Sequence, residues 1–230
     1  MPENNPKKAV VLLSGGLDSA TTLYAAMKEG YAPYALTIRY GQRHRKETEC
    51  AQWLAAHLGV EIRELSIELP WKGSALLDHA ARLPGNRSAE EMSSGIPATY
   101  VPARNTIFLS FALSWAEVLG ARAVFIGANA LDYSGYPDCR PEYFEIMEKL
   151  FEKGTKAGAE GRAIHIAAPL LHKTKSEIIQ WGQALGVPFE RTWSCYDGGA
   201  SPCGVCDSCL LREKGFREAG IADPLMSLSR

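Results

Sequence analysis

One stretch decides the fold, Leu13-Ser14-Gly15-Gly16-Leu17-Asp18-Ser19, and it stands between the apolar run Ala9-Val10-Val11-Leu12 and a helix-like segment from Ala20 to Glu29. This order predicts a buried strand, a tight glycine turn and the start of a helix within about 20 residues. The two glycines let the backbone approach a ligand closely. The N-terminus of the following helix adds unpaired N–H donors and a partial positive charge. The stretch therefore predicts an anion-binding loop, with the serine hydroxyls as further donors.

The glycine pattern distinguishes this loop from two better known ones. No lysine follows Gly16, so the loop is not a Walker A motif, and it lacks the Gly-x-Gly-x-x-Gly of dinucleotide folds. It resembles the Ser-Gly-Gly-x-Asp-Ser loop of the N-type ATP pyrophosphatases. That resemblance implies ATP cleaved between its α- and β-phosphates, with these residues as the ATP site: Leu13, Ser14, Gly15, Gly16, Leu17, Asp18, Ser19, Ala20, Thr21, Thr22 and Leu23. The alternative is a plain strand–turn–helix corner.

Composition restricts the class of protein. The 230 residues are 46% hydrophobic and 22% charged, with a net charge of −1, which fits one sizeable globular domain over residues 1–230. A chain without surplus positive charge gives no reason to expect direct nucleic-acid binding. No apolar run is long enough to span a bilayer, and the N-terminus lacks a signal-peptide pattern. We therefore expect no membrane association and a cytoplasmic location.

Strand and helix patterns alternate along the chain. Strands are predicted at 8–13, 33–39, 60–67, 122–127 and 163–167. Helices are predicted at 18–29, 46–58, 106–119 and 142–153, and a last helix contains Lys175 in its first turn and ends at about 185. This order predicts a doubly wound α/β fold with a parallel five-stranded sheet. Residues 69–102 are rich in proline and glycine. So long a connection is a substrate lid, an interface arm or disordered, and an interface arm would favour a homodimer.

Two cations and a polar loop are candidate site residues. Arg104 and Lys175 each stand in the first turn of a predicted helix, where a positive charge opposes the helix dipole. A bound anion would explain both, and solvent-facing side chains are the alternative. The loop after the fourth strand follows a strand end, where ligands gather. Its aspartates can accept hydrogen bonds from an amidine-like edge such as that of guanine, and its tyrosines can stack on a base: Asp132, Tyr133, Tyr136 and Asp138. An ordinary loop whose tyrosines cover the core is the alternative.

Four of the six cysteines lie within 15 residues: Cys195, Cys203, Cys206 and Cys209. Cys-x-x-Cys turns place pairs of thiolates on one metal, and four sulfurs suit tetrahedral Zn²⁺ with no open position. We therefore predict a structural zinc-binding segment over residues 190–215, whose loss would loosen that region. A [4Fe–4S] cluster is the competing interpretation.

Together these motifs resemble the 7-cyano-7-deazaguanine synthase family of the queuosine pathway over nearly the whole chain. The resemblance rests on Leu13–Leu23, Tyr40-Gly41-Gln42-Arg43-His44, Tyr100-Val101-Pro102-Ala103-Arg104-Asn105, Asp132-Tyr133-Ser134-Gly135-Tyr136-Pro137-Asp138-Cys139-Arg140, residues 169–178 and the four cysteines. Of these, the run from Ser134 is the most specific. Ala103 departs from the family, which often has glycine there. The implied fold is that of the adenine nucleotide alpha hydrolases.

The resemblance implies an ATP-dependent carbon–nitrogen ligase that converts 7-carboxy-7-deazaguanine and free ammonia to a nitrile through an amide. Asp18 would position Mg²⁺, and Lys175 and Arg104 would stabilise charge on the leaving phosphate. Asp132 or Asp138 would bind the deazaguanine edge. Two other classes stay open, namely a tRNA-modifying or amidating enzyme with the same loop, and a non-enzymatic regulator that binds nucleic acid through its zinc segment.

Overall fold

A five-stranded parallel sheet forms the centre of the molecule. The computed structural model describes residues 6–42, 45–71, 73–78, 80–131 and 135–227. The strands are β1 (Lys8–Leu12), β2 (Ala32–Arg39), β3 (Glu61–Ser66), β4 (Ala123–Phe125) and β5 (His165–Ala167), in the order β3-β2-β1-β4-β5. All four pairings are parallel, which confirms the predicted doubly wound sheet. The strand order reverses beside β1, so the carboxyl ends of β1 and β4 flank the crevice where such folds bind ligands.

Helices cover both faces of the sheet. They are α1 (Leu17–Lys28), α2 (Lys46–Leu58), α3 (Ala89–Ser93), α4 (Arg104–Leu119), α5 (Pro141–Gly154), α6 (Lys156–Ala159), α7 (Lys175–Leu185), α8 (Asp207–Ala219) and α9 (Pro224–Ser227). Successive side chains of a strand point to opposite faces. Val11 of β1 accordingly joins the core with α1, α2, α7 and α8, while Val10 joins the core with α4 and α5. Among the described helices, none combines the length and apolar character needed to cross a bilayer.

The sequence predicted β4 and β5 to be longer than they are, and it did not predict α8 and α9. β4 and β5 span three residues each, because β4 pairs with β1 only over Ala9–Val11 and with β5 only over His165–Ala167. After Phe125 the chain leaves the sheet and packs against α1 through Gly127, where a Cβ atom would lie 3.1 Å from the Asp18 carbonyl carbon and oxygen. α8 begins within the cysteine segment, at the residue after Cys206. Metal-ligand spacing alone gave no reason to expect it.

The long connection packs against the cysteine segment of its own chain. Gly85 pairs with Cys206 in an antiparallel bridge, and the Asn86 amide donates to the Val205 carbonyl over 2.8 Å. Arg87 forms a two-point ion pair with Asp207, through Nε to Oδ1 at 3.1 Å and Nη2 to Oδ2 at 2.5 Å. In its described parts, this connection is therefore anchored beside the cysteines.

A buried ion pair connects α8 to the C-terminal segment. The Arg212 guanidinium donates to both Asp223 carboxylate oxygens, at 2.7 and 2.9 Å, and both side chains are less than a tenth exposed. Arg212 also donates to the Phe189 carbonyl over 3.0 Å and to the Thr192 hydroxyl over 2.8 Å. Several donors of this guanidinium are thus satisfied without water.

Replacing Asp223 with alanine should lower the free energy of unfolding by about 3–5 kcal/mol, because it leaves a buried guanidinium without its counter-charge. Denaturant titration measures this change. Glu218→Ala is the matched control, since its side chain is about half exposed and lies 3.8 Å from Lys214 on the same helix. That change should cost only about 0.3–0.5 kcal/mol. Equal losses in the two variants would contradict the assigned role of the buried pair.

Candidate active site

Ser19 organises the glycine loop. Its hydroxyl oxygen accepts hydrogen bonds from the Ser14 and Gly15 amides, at 3.2 and 3.1 Å, and donates to the Gly16 carbonyl over 3.0 Å. The Ser14 hydroxyl accepts from the Gly16 amide at 3.2 Å. Among the described residues, no side chain forms a capping hydrogen bond at the N-terminus of α1. The first amides of α1 therefore have no partner within the helix and face the end of the loop.

Gly15 is required by close packing as well as by conformation. Its φ is +91°, a left-handed conformation that favours glycine, and a Cβ atom would overlap the Glu47 carbonyl oxygen of α2. Its own carbonyl accepts a hydrogen bond from the Trp193 amide over 3.0 Å. The loop is thus held between the first turn of α2 and the segment that leads into the cysteines.

Lys175 and Asp18 form an ion pair inside the site. Lys175 Nζ donates to both carboxylate oxygens of Asp18, at 2.7 and 2.8 Å. Lys175 is only 9% exposed, which excludes the solvent-facing alternative. α8 covers it, because Gly215 lies so close that a Cβ atom there would overlap Lys175 Cγ. The pairing joins two candidate residues 157 positions apart, and no sequence signal connected them.

The start of α7 is fixed from two directions. Thr174 and Glu177 form a capping box, in which the Glu177 carboxylate accepts a hydrogen bond from the Thr174 amide over 2.7 Å. This backbone hydrogen bond lowers the pKa of Glu177. Asn129, at the carboxyl end of β4, is buried and its amide donates to the Leu170 carbonyl over 3.0 Å and to the Lys173 carbonyl. These bonds fix the backbone that places Lys175.

Arg104 also lies in the site. Its Nη1 donates to the Tyr40 hydroxyl over 3.4 Å, and the guanidinium lies 5.9 Å from the centre of that ring. Burial alone would lower the pKa of Arg104, but the neighbouring hydroxyls of Tyr40 and Tyr136 raise it above its ordinary value. Arg104 is a stable cation facing the cavity rather than a surface side chain at a fraying helix end.

Ala103, just before α4, adopts φ 54° and ψ 23°. This left-handed conformation costs a non-glycine residue roughly 1–2 kcal/mol. Ala103→Gly should therefore raise the free energy of unfolding by up to about 1 kcal/mol, since glycine's greater freedom in the unfolded chain offsets part of the gain. Denaturant titration measures the difference. Ala116→Gly is the control, because it lies inside α4 and should destabilise by about 1 kcal/mol. Destabilisation by both changes would contradict the strain assigned to Ala103.

Part of the loop after β4 lies within the described residues. Tyr136 is buried, shares a 2.8 Å hydrogen bond with Thr99 through its hydroxyl, and lines the cavity. Burial raises its pKa. Asp138 is buried and packs against the start of α4, where its Oδ2 accepts a hydrogen bond from the Asn105 amide over 3.0 Å. Asp132 and Tyr133 lie outside the described residues.

The glycine loop, Asp18, Arg104, Tyr136 and Lys175 surround one cavity of about 230 Å³ at the carboxyl ends of β1, β2 and β4, whereas Asp138 is not among the residues that line it. Its lining includes Ser14, Gly16, Asp18, Ser19, Arg104, Tyr136 and Lys175, together with Glu47, Trp193 and Tyr196, which sequence reasoning did not select. Glu47 follows the charged residues after Tyr40, a pattern usually typical of a solvated face. Trp193 and Tyr196 flank Cys195, so the cysteine segment forms part of the cavity wall. The sequence signal that could have indicated these three residues is their position next to a recognised motif.

Glu47 has an unusual environment. Burial raises its pKa to about 7, although the charge of Arg104 acts in the opposite direction and Cys195 adds to the rise. Its carboxylate has no hydrogen bond or ion pair to any residue that the structure describes. A carboxyl group of this kind, facing a cavity, is typical of functional sites.

The four clustered cysteines converge as a metal site would require. Their Sγ atoms all lie within 4.8 Å of one another, and three of the four residues are buried. Backbone amides of Asp197 and Cys203 donate to Cys195 Sγ at 3.4 and 3.3 Å. Hydrogen bonds from the Cys206 and Cys209 thiols lower the pKa of Cys195. Four thiols, with amide donors to stabilise a thiolate, fit a tetrahedral metal ion of the zinc type.

Comparison with known proteins identifies the family. The model of a family described as "Queuosine biosynthesis protein QueC" matches residues 8–220. The chain belongs to the QueC family. A relative from Trichodesmium erythraeum named 7-cyano-7-deazaguanine synthase is 58% identical to this QueC-family chain over 221 residues, which are 95% of the chain and 100% of the relative. A relative of the same name from Thermoplasma acidophilum is 53% identical over 95% of the chain and 91% of its own length.

A solved structure resembles this QueC-family chain in fold alone. It is an NMN synthetase from Francisella tularensis, with a TM-score of 0.50 and 17% identity, over 98% of the chain and 82% of that structure. The likeness confirms the predicted fold class.

Proposed function

We propose that this chain is an ATP-dependent ligase of queuosine biosynthesis that converts 7-carboxy-7-deazaguanine and ammonia to 7-cyano-7-deazaguanine. The proposal rests on one combined observation. This chain is 58% identical to a protein named 7-cyano-7-deazaguanine synthase, and its glycine loop, Lys175 and Arg104 surround one cavity. The relative's name indicates the product, and the cavity contains groups suited to phosphate chemistry.

The reaction needs activation, because a carboxylate is a poor electrophile. The glycine loop and the N-terminus of α1 would hold the phosphates of ATP. The substrate carboxylate would attack the α-phosphorus and displace pyrophosphate, and ammonia would then displace AMP to form the amide. A second activation, at the amide oxygen, would make that oxygen leave and give the nitrile. Lys175 and Arg104 would stabilise negative charge on the transferring and leaving phosphates.

Two metals belong to the proposal. Asp18 would hold Mg²⁺, which offsets phosphate charge when bound. Its carboxylate accepts two hydrogen bonds from Lys175 and, with about four lone-pair sites, retains acceptor capacity for a cation. Zn²⁺ would be held structurally by the four converging cysteine thiols.

Base recognition is assigned to the loop after β4. Tyr136 lines the cavity and can contact a flat ring. Asp132, with Tyr133, would bind the deazaguanine edge. Asp138 stays a prediction for the same role, although one of its oxygens is engaged by α4.

We also propose one domain over residues 1–230, a cytoplasmic location, and a homodimer that acts on small molecules without binding nucleic acid. The net charge of −1 supports the last point. Exposed apolar side chains on α4 and α5 offer a surface for pairing, with Val118 at 82% and Ile146 at 64% exposure. Light scattering of the purified protein tests the dimer.

An oxygen-18 experiment tests the proposed use of ATP. Substrate labelled in its carboxylate is turned over with MgATP and ammonium, and the nucleotide products are analysed by mass. We expect the label in AMP, because the carboxylate oxygen would attack the α-phosphorus. Label in inorganic phosphate would show attack at the γ-phosphorus, and unlabelled nucleotide and phosphate would contradict carboxylate activation.

A further inference from the structure

Of the residues described around the cavity, two carry carboxylates, and they differ in their partners. Asp18 is engaged by Lys175 through both of its oxygens. Glu47 faces the same cavity, and the described part of the chain offers its carboxylate no hydrogen bond or ion pair. A carboxylate that has no partner in a partly dehydrated site is available to a ligand.

The position of Glu47 places that carboxylate at the glycine loop. Its main chain packs against Gly15, and its Oε1 lies 3.9 Å from the point where a Cβ atom on Gly16 would be. Arg104 lines the same cavity and acts on Glu47 through its positive charge. Glu47 is therefore near both the loop proposed to hold ATP and a cation proposed to hold the leaving phosphate.

Stabilisation of α2 is the simpler explanation for an acidic residue in a first helical turn. A favourable helix dipole would lower the pKa of such a carboxyl group. Here burial raises the pKa of Glu47 to about 7. The positive charge of Arg104 lowers this pKa, and the charge of Cys195 raises it further. Lys46, Glu49 and Cys50 are the other titratable neighbours along the helix. Glu47 is half-buried and lines the cavity, and no described side chain caps α2 by a hydrogen bond, so a capping role does not explain its position.

The proposed chemistry needs a base at this point. Ammonia uses its lone pair to form a C–N bond with the activated carboxyl carbon, and the nitrogen becomes positively charged. A proton must leave that nitrogen as the bond from carbon to the phosphate-bearing oxygen breaks. Two more N–H protons are lost when the amide becomes a nitrile. Ammonium, the dominant form at neutral pH, must lose one proton before it can attack at all.

The other ionisable groups around the cavity suit this role poorly. Lys175 and Arg104 are cations, and Asp18 is held by Lys175. Burial raises the pKa of Tyr136 and raises that of Cys139 to about 11, so both keep their protons at neutral pH. A carboxylate binds ammonium through charge-assisted hydrogen bonds and accepts protons from it.

We propose that Glu47 binds ammonium in the cavity and acts as the general base that removes protons from the attacking nitrogen. This inference rests on the function proposed above. The Glu47 carboxylate would take one proton from ammonium, release it to solvent, and then accept the proton lost from nitrogen after the C–N bond forms.

Glu47→Gln tests the role, with Glu49→Gln as the matched control. Glutamine keeps the shape of the side chain and loses the base, and Glu49 is exposed on the same helix turn. Two rates are measured: pyrophosphate exchange into ATP with 7-carboxy-7-deazaguanine but without ammonia, and nitrile formation with ammonium. The first reports carboxylate activation and the second reports nitrogen transfer.

For Glu47→Gln we expect nitrile formation to fall by about 10²–10⁴-fold, with pyrophosphate exchange within about threefold of the unaltered protein. Hydroxylamine, which is a neutral nucleophile at pH 7, should still give the hydroxamate with this variant. Nitrile formation equal to that of Glu49→Gln would overturn the inference. An equal fall in both rates, or a higher Mg²⁺ requirement for exchange, would also overturn it and assign Glu47 to ATP or to its metal. If the proposed function itself is wrong, the unaltered protein will form no nitrile.

Discussion

Replacing Lys175 with methionine should lower pyrophosphate exchange into ATP by about 10²–10³-fold, the loss typical of removing one donor that stabilises developing charge. Lys175 is buried and paired with Asp18, and α8 packs over it at Gly215. A cation held in this way can meet a leaving phosphate with little rearrangement. The exchange rate with saturating 7-carboxy-7-deazaguanine measures the loss.

Two further variants sharpen this prediction. Lys214→Met is the matched control, because Lys214 lies one residue before Gly215 and its side chain is half exposed. Asp18→Asn should also reduce exchange strongly, and the double variant should lose less than the sum of the two single losses if the pair acts as a unit. Exchange by Lys175→Met within about threefold of the control would contradict the role assigned to this lysine.

Replacing Cys206 with serine should remove the bound metal and loosen residues 190–215. Structural zinc contributes on the order of 10 kcal/mol in small zinc-binding units, so the loss of one of four ligands should be felt well beyond the cysteine. The Trp193 amide bonds to the Gly15 carbonyl, and Arg87 ties the long connection to Asp207. We therefore expect weaker ATP binding as a secondary effect. Metal analysis and hydrogen exchange of the 190–215 region measure the change.

Cys50→Ala provides the control for the cysteine prediction. Cys50 packs against the four clustered cysteines but is not one of the converging set. This variant should keep about one zinc ion per chain, as expected for a four-sulfur site. Equal metal content in Cys206→Ser and Cys50→Ala, with unchanged exchange at 190–215, would contradict a structural metal site. Iron and sulfide in the purified protein would favour the competing cluster.

Local pattern was sufficient for the sheet and for the loop. Strand and helix patterns predicted β1, β2 and α2 to within a residue or two, because a buried strand and an amphipathic helix each repeat within a few residues. The capping box at Thr174 was predictable for the same reason. The cysteine spacing likewise predicted a cluster that the structure brings together.

Long-range contacts were not readable from the sequence. The ion pair between Lys175 and Asp18 joins the starts of two helices that are far apart in the chain. Arg212 of α8 contacts Asp223 only because the chain folds back after that helix. Glu47 was overlooked because it stands in a charged run, a pattern usually typical of a solvated face. Its environment depends on Arg104 and the cysteine segment, which tertiary packing supplies.

A mass-resolved turnover assay tests whether this chain converts 7-carboxy-7-deazaguanine to the nitrile. The purified protein is given MgATP, ammonium and 7-carboxy-7-deazaguanine, with no tRNA present, and the products are followed in time. We expect an amide that forms first and is then converted to 7-cyano-7-deazaguanine. Absence of both products, with ATP consumed only after tRNA is added, would contradict it and move the chain to a tRNA-modifying reaction.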